Sequence, residues 1–172
     1  MNVTDLNDLE YNPYYKTYIG KVATHNTLIK GFIDGEIDVV KFFKSIPKEK
    51  LEYRYAPDKW TIKEVLQHII DTERVFMYRC FRIARHDVTP LVGFEQDDYI
   101  QPSHANKKSL NDLLEAYQVT RRSFIVLLKN LSDNDLNVVG NANGSALSAR
   151  AAAFIILGHE IHHIEVIKNR YL

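Results

Sequence analysis

His159 and His163 stand four residues apart near the C-terminus, in Leu157-Gly158-His159-Glu160-Ile161-His162-His163-Ile164-Glu165. Each helical residue advances about 100°, so the two imidazoles lie within about 40° of each other and can share one metal ion. Three protein ligands with an open position are the usual arrangement at a catalytic zinc, and imidazole also suits nickel, copper and iron. His68, in an earlier helical stretch, supplies the third ligand if the two helices adjoin. The competing reading makes His159 and His163 core imidazoles bonded to carboxylates or carbonyls, and His68 a half-exposed helix residue. Against it stands the cost of burying adjacent imidazoles without an acceptor or an ion. His159 to His163 also spells H-E-x-x-H, the pattern of zinc proteases, but Glu160 points about 80° from the bisector of the two histidines and no further ligand follows downstream. That reading ranks below the three-histidine site.

Other groups could assist. Asp71, one turn beyond His68, is the candidate catalytic carboxylate, able to orient an imidazole or accept a proton, although a carboxylate there is as often an ion-pair partner. Arg79 and Arg82 could hold an anionic substrate on the His68 side, or be merely solvated. Cys80 sits on an apolar stripe and reads as a small buried hydrophobe. Tyr55 and Trp60 read as loop anchors, and His162 projects with Glu165 and Asn169 on a polar strip outside the site.

These residues need helices to position them. A tyrosine-rich arm over residues 1–22 precedes a helix over about 24–45, where Leu28, Phe32, Val40 and Phe43 recur at helical spacing and Pro47 ends the run. Gly31 and Gly35 mark a place where another backbone approaches. Thr61-Ile62-Lys63-Glu64 is a capping box, so the helix bearing His68 starts at Thr61 and its stripe runs to about Arg85. Residues 86–108 carry Pro90, Gly93 and Pro102 without a helical period and form one long crossover. Ser109 opens a third helix to about Asn130, residues 132–135 and 140–145 read as polar loop, and Ser145 or Ser148 opens the last helix. Its inward side holds Ile155, Ile156, Val166 and Ile167 beside the histidine pair. Leu157, Ile161 and Ile164 form a second apolar side that a partner subunit could cover. Strand patterns are nearly absent. The expectation is an all-α, single-domain four-helix bundle over residues 1–172, with a long crossover between the second and third helices and neighbours that do not all run antiparallel.

Composition narrows the function. Lys+Arg and Asp+Glu balance at 22 each, which argues against nucleic acid as partner. A single cysteine rules out an internal disulfide and any Cys-x-x-Cys motif. No signal peptide and no membrane-length apolar run is visible, so a cytoplasmic protein without membrane contact is expected.

The stretch from Tyr55-Ala56-Pro57-Asp58-Lys59-Trp60-Thr61 through His68-Ile69-Ile70-Asp71 to Arg74, together with Gly158-His159-Glu160-Ile161-His162-His163, resembles the DinB-like superfamily of four-helix bundles. The resemblance spans nearly the whole chain. It implies a divalent metal, zinc or nickel, on His68, His159 and His163. It also implies a homodimer and an activity like that of thiol-dependent transferases or isomerases using bacillithiol, mycothiol or glutathione. The family's name reflects DNA-damage induction and not DNA binding. Two functions follow as expectations: a metal-dependent enzyme performing thiol transfer or hydrolysis on a small substrate, or a non-catalytic, stress-associated metal-binding homodimer.

Overall fold

Side-chain caps fix where three of the four long helices begin, and the computed structural model, which describes residues 1–172, starts these at Thr61, Ser109 and Ser148; the first long helix has no side-chain cap and begins at Leu28, a turn later than the expected residue 24. In chain order the helices are α1 (Lys16–Ile19), α2 (Leu28–Ser45), α3 (Ile62–Ala84), α4 (Gln96–Ser103), α5 (Leu110–Lys129), α6 (Asp133–Leu136) and α7 (Ala149–Arg170). At the start of α3, Thr61 Oγ1 accepts from the Glu64 amide (3.1 Å) and the Glu64 carboxylate accepts from the Thr61 amide (2.8 Å). The Thr61 hydroxyl also donates to Asn106 Oδ1 (2.7 Å), tying this end of α3 to the segment before α5. His68 is two turns away, so the cap sets the axial position of its ring. Thr61→Ala should cost about 1–2 kcal/mol, or roughly 2–8 °C in Tm for a chain of this size. An unchanged melting curve would show that the cap contributes nothing.

Contacts across the bundle give each neighbour's direction. Gly31 faces Leu157 and Gly35 faces Glu160, so α2 and α7 run parallel. Lys108 bonds Gln67 and Arg121 bonds Glu73, so α3 and α5 also run parallel. Phe32 meets Phe124 edge-on while Tyr117 reaches Gly35, which makes α2 and α5 antiparallel. The Tyr171 hydroxyl donates to the Trp60 carbonyl (2.8 Å), bringing the end of α7 to the start of α3. Around the bundle the order is α2, α5, α3, α7, with α2 and α3 diagonal. A crossover that returns the chain to the same end is what parallel α3 and α5 require.

The core is split across its height. One apolar cluster holds Phe32, Phe76, Phe124, Phe154 and Ile155; the other holds Phe43, Ile62, Leu66, Leu113, Tyr117 and Ile167. Between them every long helix contributes a polar or empty position: Gly35, Thr72 and Glu73, Arg121, and His159 with Glu160. A belt of buried polar groups therefore crosses the middle of the bundle.

Several local expectations are corrected. The crossover contains α4, with Pro102 tolerated in its last turn, so it is not wholly irregular. The region read as polar loop contains α6 and an antiparallel hairpin, β1 (Val139–Ala142) and β2 (Ser145–Ser148). Asn143 (φ 53°) and Gly144 (φ 74°) form its two-residue turn, the Asn-Gly pattern that suits a right-twisted hairpin. The β1 edge holds the crossover: the Leu91 amide donates to the Asn141 carbonyl (2.9 Å) and the Asn143 amide donates back to the Leu91 carbonyl (2.8 Å). Ser148, not Ser145, caps α7. At Gly31 and Gly35 the approaching groups are the side chains of Leu157 and Glu160, not a backbone. Leu157 is buried, while Ile161 and Ile164 stay half-buried in a groove shared with Val22 and Val39, so the second apolar side of α7 is partly covered by the chain itself.

Candidate metal centre

His68 comes from the second turn of α3, and His159 and His163 from consecutive turns of α7, the antiparallel neighbour of α3. The three rings meet. His68 Nε2 lies 2.9 Å from His159 Nε2, and His163 Nε2 lies 3.1 Å from the same atom. Ring centroids stand 4.4 to 4.8 Å apart, with the planes steeply inclined to one another. His68 and His159 are 3% and 4% exposed, so the reading of His68 as a half-exposed residue fails. The ring is covered by α7 and by Trp60, whose ring lies 4.7 Å away.

Electrostatics keep the trio neutral. Burial lowers His68 to about 4, with no acidic neighbour to raise it. Burial, followed by repulsion from the adjoining imidazoles, holds His159 and His163 well below the ordinary value. At neutral pH each ring therefore offers a lone pair. An imidazole nitrogen carries either one proton or one lone pair, so His159 Nε2 cannot make good hydrogen bonds to two other imidazole nitrogens at once. One cation accepting from all three resolves that conflict. Two nitrogens each about 2.0–2.1 Å from one ion can be no more than about 4.2 Å apart; both pairs through His159, at 2.9 and 3.1 Å, lie inside that limit, and the three ligand atoms together lie within 4.8 Å of one another. The residues fit a divalent metal.

The other sequence candidates separate from the centre. Asp71 accepts from Gln67 Nε2 and Arg74 Nη1, both at 3.0 Å, and engages no imidazole. Glu160 turns away from the histidines to Tyr117 Oη (3.0 Å) and to Arg121, which removes the geometry of a zinc protease. Arg82 pairs with Asp87, while Arg79 is buried and donates to the Val92 carbonyl (3.0 Å). Cys80 is buried, and desolvation pushes its thiol up to about 12. Tyr55 and Trp60 anchor the loop as expected, through the Tyr171 ring and hydroxyl respectively.

Sequence reasoning missed two features. Arg121, fully buried, forks onto Glu73 (2.8 and 2.9 Å) and also reaches Glu160, a buried group of two carboxylates and one guanidinium. Its signal was available: Arg121 and Glu73 occupy stripe positions, one turn from Tyr117 and Phe76, where an apolar residue is the norm. The second is where the tyrosine-rich N-terminal arm docks, against the histidines themselves. Tyr18 packs edge-on at 5.3 Å to both His159 and His162, and burial pushes its hydroxyl far up, so it stays protonated. Its carbonyl lies where a β-carbon on Gly158 would sit, 1.9 Å away. Beside His159, Tyr15, Tyr18, Thr72, Phe76 and Phe94 enclose a cavity of about 420 Å³.

A bundle with parallel neighbours and a buried three-imidazole centre between two of its helices is the class of protein that fold and site define. The chain belongs to the DinB superfamily, whose sequence profile matches residues 36–167. A Bacillus mycoides protein named "Putative metal-dependent hydrolase" is 21% identical, over 96% of this chain and 98% of that one. A Bacillus cereus protein of the same name is 22% identical over the same shares. Among solved structures, YfiT of Bacillus subtilis, described as a probable metal-dependent hydrolase with an unusual four-helix bundle topology, superposes with a TM-score of 0.75. It is 14% identical, and the match covers 90% of this chain and 94% of YfiT. YjoA of Bacillus subtilis, described as DinB-like, gives a TM-score of 0.59 at 17% identity, over 84% and 88% of the two chains. No helix is long and apolar enough to cross a membrane.

Proposed function

We propose that this chain is a divalent-metal-dependent enzyme of the hydrolase class acting on a small substrate, with the ion held by Nε2 of His68, His159 and His163. The convergence of those three neutral nitrogens carries the reading. An all-imidazole set favours zinc or nickel over the hard cations magnesium and calcium. When bound, such an ion supplies Lewis-acid chemistry, polarising a carbonyl or phosphoryl oxygen and providing a nucleophile at neutral pH.

The chain's own residues do the rest. Burial keeps the imidazoles deprotonated, so no proton has to leave before a ligand lone pair is offered. Trp60 and Tyr18 wall two of the rings and limit water, which strengthens every electrostatic interaction at the centre. The protonated Tyr18 hydroxyl, 3.4 Å from that of Tyr14, is a hydrogen-bond donor at the cavity wall. His159 lines that cavity and the centre together, so a molecule lodged there lies beside the three-imidazole cluster.

Elemental analysis of protein purified without chelator should find one zinc or nickel per chain. His159→Ala removes the nitrogen shared by both close contacts, and should abolish metal content and any ester, amide or phosphoester hydrolysis while retaining the helical circular-dichroism spectrum. A folded His159→Ala protein with full metal content would overturn the assignment.

A further inference from the structure

Two arginines are buried, and their surroundings differ. Arg121 forks onto Glu73 and also reaches Glu160. Arg79, 3% exposed, has no carboxylate partner, and of its five N–H donors one is used within the chain, from Nη2 to the Val92 carbonyl (3.0 Å). Its guanidinium lies over the Phe76 ring (4.9 Å) and the Phe94 ring (5.5 Å), which offset part of the charge but supply no oxygen acceptor. The other arginines without an ion pair, Arg85 and Arg170, are exposed to water. A guanidinium is rarely buried without an anion, because its lost hydration is then uncompensated.

Arg79 lines a cleft of about 430 Å³ between α3 and the crossover. Leu91, Val92, Phe94 and Tyr99 give it apolar walls, and Arg74, Tyr78 and Arg82 stand on the α3 side. No acidic residue and no histidine lines it. Its two other arginines are neutralised from outside, Arg74 by Asp71 (3.0 Å) and Arg82 by Asp87. Glu95 and Asp97 line the neighbouring cavity beside His159, which shares Phe94 with this cleft, and the exposed Asp98 lines neither space. One uncompensated positive charge remains, at Arg79. An ion at the three imidazoles would not oppose it: His68 lies eleven residues earlier on α3, from 68 to 79, or about 16 Å along the axis, and the ion has the same sign.

We propose that this cleft is a second binding site, for a small organic acid whose carboxylate accepts from the unused N–H donors of Arg79 and whose apolar or aromatic body lies among Leu91, Val92, Phe94 and Tyr99. Guanidinium and carboxylate match as two forks, so one side chain can bond both oxygens. A single uncompensated cation suits a monoanion better than a doubly charged phosphate. The apolar walls favour an organic acid over a bare inorganic ion, since a site of this kind combines mostly apolar lining with a few placed polar groups. The site does not depend on the metal-centre reading.

The test titrates benzoate and benzamide, close in shape and different in charge, into the metal-loaded full chain by calorimetry. Benzoate should bind about tenfold or more tightly, the margin of a charge-assisted hydrogen bond over a neutral one. Arg79→Met, which keeps an apolar stem and removes the fork, should bring the two affinities to within about twofold of each other. Val92→Asp alters a side chain that is 85% exposed, so it reads the site even where Arg79→Met does not fold. Its new carboxylate competes for the guanidinium and should weaken benzoate severalfold while leaving benzamide unchanged. Equal binding of the two probes, no benzoate binding at any attainable concentration, or tighter binding of phenyl phosphate than of benzoate would each overturn the proposal. So would benzoate affinity untouched by Val92→Asp, or a benzoate preference that survives in folded Arg79→Met, which would put the carboxylate on the metal ion instead.

Discussion

Arg121→Ala should destabilise the fold by about 3–5 kcal/mol, which for a chain of this length lowers Tm by roughly 6–20 °C. The side chain is fully buried, with two bonds to Glu73, a third at 2.5 Å to Glu160 Oε2, and its guanidinium over the Phe32 ring (4.7 Å). Removing it leaves two carboxylates buried in the belt between the apolar clusters, with Tyr117 as the remaining donor to Glu160. The direction with pH is fixed by Glu73. Burial already raises its carboxyl above the ordinary 4.5, against the pull of Arg121, and loss of the guanidinium raises it further. A carboxyl whose folded value exceeds its unfolded value adds stability below the unfolded value and loses it as pH climbs. The deficit of the variant should therefore be smallest near pH 4–5 and grow toward neutrality. Thermal melts of both proteins across that range check it. A deficit that is constant with pH, or below about 1 kcal/mol, would mean that water reaches the belt.

The same belt shows what the sequence does and does not disclose. The four long helices were readable because caps and stripes are local: Thr61, Ser109 and Ser148 each bond an amide three residues on, and no distant partner is needed to see it. The parallel arrangement of neighbours followed from crossover length. The histidine trio was readable because i, i+4 spacing puts two rings on one side, and the third needed only that α3 adjoin α7. What escaped was decided by non-local partners. Nothing within a few residues of Arg121 explains a charge on an apolar stripe; the reason lies on α3 and α7. Gly31 and Gly35 were recognised as places of close approach, but their occupants, Leu157 and Glu160, could not be named from α2 alone. The hairpin is a different failure. Asn143-Gly144 is a local signal, passed over because the flanking segments are short and mixed in polarity, and their pairing is completed by Leu91 from the crossover. The aromatic cavity escaped for the same reason as the belt, since the arm, α3, the crossover and α7 each bring only a part.

Gly158→Ala should detach the arm from the site while leaving the histidines in place. A β-carbon at 158 would lie 1.9 Å from the Tyr18 carbonyl oxygen and 2.3 Å from its carbon, and backbone cannot turn aside as a side-chain end can. The arm must lift or α7 must shift, and the arm is the softer element: α1 has one turn, whereas α7 is clamped between α2 and α3. Overpacking of this kind costs about 1–3 kcal/mol, here concentrated in residues 11–22, so their cleavage by a protease acting on open forms should quicken by roughly 5- to 100-fold. The anchors farther out should persist, because Glu10 bonds Ser148 and Arg150 without reference to Gly158. Metal content should stay near that of the parent, since His68, His159 and His163 sit on helices the substitution does not break. Binding to the cavity should fall, because Tyr18 and Tyr15 supply two of its walls. Protease-resistant arm residues and undiminished ligand binding in Gly158→Ala would show that the contact between Tyr18 and α7 does not shape the site. Loss of metal together with the arm would show that the arm holds the imidazoles themselves and not only the space beside them.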